Sequence, residues 1–168
     1  MNKRANHTLV LGLGNPLMGD DGAGVAALER LRDEWEIPPE VELVDGGTWG
    51  MNLLPLIESA RRLILIDAIR SGVAPGTLTV LERNQLPRYF SLKISPHQID
   101  LREVLALAEL RGLLPDDLVA VGIEPERVDL ELGLSPRVEA GLDKVIDLVL
   151  QRLEWAGHRC PPRIPVCA

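Results

Sequence analysis

Residues 8–24 read Thr8-Leu9-Val10-Leu11-Gly12-Leu13-Gly14-Asn15-Pro16-Leu17-Met18-Gly19-Asp20-Asp21-Gly22-Ala23-Gly24. A continuous apolar run passes through glycines and two adjacent acids into a helical pattern. The run predicts a buried strand over 8–13, and Val25, Leu28, Leu31 and Trp35 predict a helix from Gly24. A strand delivered into a helix by a glycine-rich turn opens an α/β sheet, whose ligands bind beyond the carboxyl ends of the strands. Such turns usually cradle an anionic phosphate. Asp20 and Asp21 repel anions and attract cations instead.

The rest of the chain extends this unit. Val41-Glu42-Leu43-Val44 predicts a second strand that leaves into Asp45-Gly46-Gly47-Thr48. A second helix is expected over 51–59, with Leu53, Leu54 and Ile57 on one side. In Leu63-Ile64-Leu65-Ile66-Asp67, four consecutive branched apolar residues imply burial on both faces, as in a parallel sheet. Residues 77–81 predict a fourth strand, joined too tightly for a helical crossover and so antiparallel or at the edge. Residues 84–95 read as irregular. Ser95-Pro96-His97 has the cap and proline of a helix start, with Leu101, Val104, Leu105 and Ala108 inward up to about Leu110. A fifth strand is expected over 118–123. Ser135-Pro136 repeats the helix start, and Val138, Leu142, Val145, Val149 and Leu153 form the stripe of a long final helix. The expected fold class is α/β: a three-layer α/β/α sandwich with a twisted, mostly parallel five-stranded sheet. A single domain is expected over residues 1–168, with its core at 8–153 and a poorly ordered tail at 154–168.

Composition narrows the function. The 168 residues suit one ordinary domain, and 46% hydrophobic with 3% aromatic content means an aliphatic core. A formal charge of −7 with no basic stripe argues against a nucleic-acid partner. The apolar runs are far shorter than the ~20 residues of a membrane span, and the basic N-terminus runs into a strand rather than a signal h-region. No membrane insertion and a cytoplasmic location are therefore expected. Cys160 and Cys167 make no disulfide framework and lack the setting of a nucleophile.

The polar residues at strand exits are Asp20 and Asp21 after the first, Asp45 after the second, Asp67 at the third and Glu124 after the fifth. With the first strand central, it lies beside the third. Asp21 and Asp67 then face one crevice at the switch point. Of three histidines, His7 precedes the first strand, His158 lies in the tail, and His97 sits at a helix start among loops. Two carboxylates and one imidazole suit an open divalent-metal site completed by water or a substrate group. Each residue also has a plainer reading. One of the paired acids caps the first helix, Asp67 bonds strand-end backbone, and His97 decorates a surface turn. Other chemistries fit less well. Leu17 occupies the third glycine position of a dinucleotide fingerprint, and there is no P-loop, nucleophile elbow or zinc-protease helix. Ser95 and His97 are neighbours in sequence, which does not make a dyad.

Residues 8–150 resemble the hydrogenase maturation endopeptidases. The run Leu9 to Leu17 with Asp20-Asp21 and Gly24, then Asp45-Gly46-Gly47-Thr48, Asp67-Ala68 and Lys93-Ile94-Ser95-Pro96-His97-Gln98, look like four family blocks. The resemblance implies a phosphorylase/hydrolase-like fold. It implies removal of the C-terminal peptide from the precursor of a nickel–iron hydrogenase large subunit, after nickel insertion. It implies nickel ligands, and hence catalytic residues, at Asp21, Asp67 and His97, with the nickel carried by the precursor and zinc or cadmium able to replace it in a crystal. The first ligand is often Glu in the family. Asp21 is one methylene shorter, so its backbone must lie closer to the metal. Asp45, Gly46, Gly47 and Thr48 are the implied substrate loop, which its glycines let approach closely. Asp20 is then the expected helix cap. Two further readings stay open: a peptidyl-tRNA hydrolase-like enzyme, which shares the Asn-Pro start but would need a basic face, and a nickel-sensing chaperone that grips the precursor without cutting.

Overall fold

The computed structural model describes residues 6–47, 50–92 and 99–164. Strand β1 (Thr8–Gly12) is buried at every position. It sits between two parallel neighbours, β2 (Val41–Asp45) and β3 (Arg62–Ala68). Beyond β3 lies β5 (Asp117–Ile123), again parallel, and β4 (Leu78–Glu82) closes that side as an antiparallel edge. The order is β2-β1-β3-β5-β4. This is the expected mostly parallel sheet, with its tightly connected strand reversed at the edge.

Alternation along the strands divides the core in two. Val10, Ile64, Ile66, Val119 and Val121 pack under α1 (Ala23–Glu34) and α5 (Pro136–Trp155). Leu9, Leu11, Leu63, Leu65, Leu118 and Ala120 pack under α2 (Leu54–Ser59), α3 (Leu86–Leu92) and α4 (Ile99–Leu110). Each fully buried aliphatic side chain contributes about 1.5–3 kcal/mol. A surface ion pair such as Arg30–Asp143 contributes about 0–1 kcal/mol, so the two aliphatic cores hold the layers together.

One glycine decides how closely the first helix meets the sheet. A Cβ on Gly24 would collide with the carbonyl oxygens of Leu13 and Ile66, so only glycine lets α1 begin against the ends of β1 and β3.

Two expectations need correction. Residues 84–95 are not irregular where described: a 3-10 turn, Arg83–Gln85, leads into α3. A reciprocal capping box between Glu82 and Gln85 starts it, and Tyr89 is its buried anchor. The tail does not hang loose up to residue 164. The Glu36 N–H donates to the Pro161 carbonyl (2.8 Å) and the Arg163 N–H to that of Glu34 (2.7 Å). The Arg163 guanidinium donates to the carbonyls of Arg32 and Trp35. Arginine thereby satisfies carbonyls that the end of α1 leaves open. The expected helix start at Ser95-Pro96 lies outside the described residues.

Candidate active site at the carboxyl end of the sheet

The chain crosses from β1 to β2 through α1 on one face and from β2 to β3 through α2 on the other. The connections diverge between the carboxyl ends of β1 and β3, where a doubly wound sheet opens a crevice. The exits are bound edge to edge. Leu13 N–H donates to the Ile66 carbonyl (2.8 Å), and Gly46 N–H to that of Gly12 (2.9 Å).

Asp21 lies in a single 3-10 turn, Gly19–Gly22, and is 2% exposed. The Asn15 N–H donates to its Oδ2 at 2.9 Å. Gly14 makes this possible. Its φ is 107°, and a Cβ there would strike the Asp21 carbonyl. The turn is thus drawn down onto the strand ends. Asp67, the penultimate residue of β3, in register with Gly122, is fully buried. The Tyr89 hydroxyl donates to its Oδ2 at 2.9 Å. Burial, and then the adjacent Asp67 charge, push the Tyr89 phenol well above its ordinary value, so it remains a protonated donor. Tyr89 escaped the sequence reading. The signal available was a lone tyrosine in a chain with few aromatics.

Asp20 does something other than the expected capping. Gly22 is the N-cap of α1, and no side chain bonds there. The Asp20 carboxylate instead accepts four hydrogen bonds from residues more than a hundred positions away. Oδ2 takes the N–H of Glu126 (2.8 Å) and Arg127 (2.9 Å) and the Ser135 hydroxyl (2.9 Å); Oδ1 takes the Ser135 N–H (2.6 Å). Backbone bonds from Gly19 to Glu131 and from Asp20 to Arg127 complete the clamp. Ser135 is the N-cap of α5, yet its hydroxyl serves Asp20 rather than its own helix. Glu124 plays a similar part nearby, accepting from Ser71 N–H (2.7 Å), Ser71 hydroxyl (2.8 Å) and Gly72 N–H (3.3 Å).

Asp45 is exposed at the exit of β2, and its Oδ1 accepts the Gly47 N–H at 3.0 Å, folding the loop on itself. Gly46 is pinned to β1, so this loop flanks the crevice on the side away from Asp67. Thr48 and His97 lie outside the described residues. Among the described residues no group of three or more His, Cys, Asp or Glu could hold a metal. Two of the three expected ligands, Asp21 and Asp67, are thus buried at the exits of adjacent strands, and carboxylate oxygens suit a divalent ion such as nickel or zinc.

Comparison with known proteins bears on the same region. A family model described as hydrogenase maturation protease matches residues 25–152. The chain is 41% identical over 156 residues to the Hydrogenase 2 maturation protease of Escherichia coli (strain K12), covering 92% of this chain and 95% of that protein. It is 36% identical over 159 residues to the hydrogenase expression/formation protein HoxM of Cupriavidus necator, covering 91% and 77%. Its structure is similar to that of the hydrogenase maturating endopeptidase HybD from E. coli, with a TM-score of 0.89, 40% identity, and coverage of 94% and 98%. A [NiFe] hydrogenase maturation protease HybD from Thermococcus kodakarensis superposes with a TM-score of 0.70 at 27% identity, covering 87% and 98%.

Proposed function

Since the chain belongs to the hydrogenase maturation proteases, a family of endopeptidases, we propose that it removes the C-terminal peptide from a nickel–iron hydrogenase large-subunit precursor after nickel insertion. In this reading Asp21, Asp67 and His97 are the residues that meet the nickel. The observation that carries it is the pair of buried carboxylates, Asp21 and Asp67, on the exits of adjacent strands at the switch point.

The nickel arrives as part of the substrate. Held there, it supplies Lewis acidity to the scissile carbonyl or to an attacking water. The chain's own residues bind and orient. Asn15 N–H fixes one oxygen of Asp21, and the Tyr89 hydroxyl fixes one oxygen of Asp67. The Asp20 clamp holds the turn that presents Asp21. The loop at Asp45, Gly46, Gly47 and Thr48 receives the precursor's tail, with Gly46 held against β1 so that the loop stays beside the crevice. The reaction is cytoplasmic in this proposal.

Intact-mass measurement of the precursor, incubated with the protein with and without nickel loaded, tests the proposal. A chain shortened at its C-terminus only in the nickel-loaded sample is expected. An unchanged mass with a stable complex would instead make the protein a nickel-sensing chaperone.

A further inference from the structure

We propose that Tyr89 is a positioning residue that aims the Asp67 carboxylate at the metal. The inference rests on the reading of Asp67 as a ligand. Tyr89 is fully buried and belongs to the aliphatic cluster that includes Leu63, Leu65 and Leu81. In such surroundings a phenylalanine fills nearly the same volume without a polar atom to satisfy, as its neighbour Phe90 does, with ring centroids 5.2 Å apart. A buried hydroxyl is costly unless bonded. Here it donates to Asp67 Oδ2 at 2.9 Å. A hydrogen bond from a ring packed in the core favours one orientation of the Asp67 side chain. This is what groups behind metal-ligating carboxylates do.

A second contact joins the same elements. The Arg70 N–H, just past the end of β3, donates to the Leu92 carbonyl at the end of α3 (2.9 Å). The helix is thus fastened to the β3 exit twice, through Tyr89 and through Leu92.

Calorimetric titration of the full chain with nickel(II) and, in parallel, cadmium(II) tests this on wild type and Tyr89→Phe, with unfolding midpoints recorded for both. Tyr89 is the only tyrosine in the sequence, so the tyrosine Fermi doublet in ultraviolet resonance Raman reports its hydroxyl alone. The expected result is a folded Tyr89→Phe whose affinity for both ions falls by about 10- to 100-fold, and a wild-type doublet that shifts on metal saturation. Unchanged affinity in Tyr89→Phe with an unmoved wild-type doublet would overturn the positioning role and leave Asp67 a ligand. Failure of wild type to take up either ion would overturn the inference, while the proposed function, in which the precursor carries the nickel, would still stand or fall by the precursor assay. Should Tyr89→Phe not fold, the wild-type doublet decides: a shift supports the role and its absence refutes it.

Discussion

The two ends of the sheet handle charge in opposite ways. At the carboxyl end Asp20, Asp21, Asp67 and Glu124 are all buried, each held by N–H or hydroxyl donors from the surrounding loops or, for Asp67, from α3. At the amino end the charges lie near the surface, in the pairs Arg62–Asp117 (3.2 Å) and His7–Glu42 (3.1 Å). His158, buried at this end, bonds the Thr8 hydroxyl at 2.8 Å. Burial and then Arg62 hold its imidazole below the ordinary value, with Glu40 opposing, so it is kept neutral. Buried negative charge is thus concentrated at the carboxyl end of the sheet.

The contrast can be broken most sharply at Asp20. Truncation by Asp20→Ala leaves three backbone N–H groups and a hydroxyl without their acceptor. A loss of about 3 kcal/mol or more is expected in urea unfolding, since bonds to a charged acceptor contribute about 1.5–3 kcal/mol each and do not add fully. A loss under about 1 kcal/mol would mean that the clamp is not holding the loop.

His158 gives a smaller and pH-dependent effect. Its folded value is depressed and its unfolded value is the ordinary 6.5. The unfolded state therefore binds the proton more readily. The contribution is complete above about pH 6.5 and is lost as pH falls through that value toward the folded one. Thermal midpoints of wild type should drop across this acid window more steeply than those of His158→Gln. At neutral pH that variant should be weaker by about 1 kcal/mol, from the lost Thr8 bond. Parallel slopes would show that His158 is not buried as a neutral group.

The smallest effect is expected at Asp117, whose side chain is 58% exposed in its pair with Arg62. Asp117→Asn should change unfolding free energy by no more than about 0.5 kcal/mol, less at high salt. A larger loss would erase the difference between the two ends.

Much of this arrangement was legible in the residues. The unbroken apolar runs at 8–11 and 63–66 imply strands buried on both faces, and β1 and β3 are the central pair that such burial requires. Asp21 and Asp67 follow from that pairing. The partners of Asp20 did not. Local sequence offers an acid at a helix start the nearest N–H groups, whereas its actual donors come from residues 126–135 and need the tertiary fold. Helix α3 was missed because Pro87 and a short, weakly periodic segment hide it, and its signal is a non-local one, the burial of Tyr89 against Asp67. The tail was read from its prolines and arginines as loose. Arg163 is instead tethered by the open carbonyls at the end of α1, a demand that composition does not reveal.

The central claim is that two adjacent acids divide the work, Asp20 holding the frame and Asp21 meeting the metal. Intact-mass analysis of the nickel-loaded precursor after incubation with Asp21→Asn, beside wild type, tests it most directly. Asp21→Asn should unfold at a midpoint close to that of wild type and leave the precursor at full length. Processing by this variant at the wild-type rate would contradict the claim.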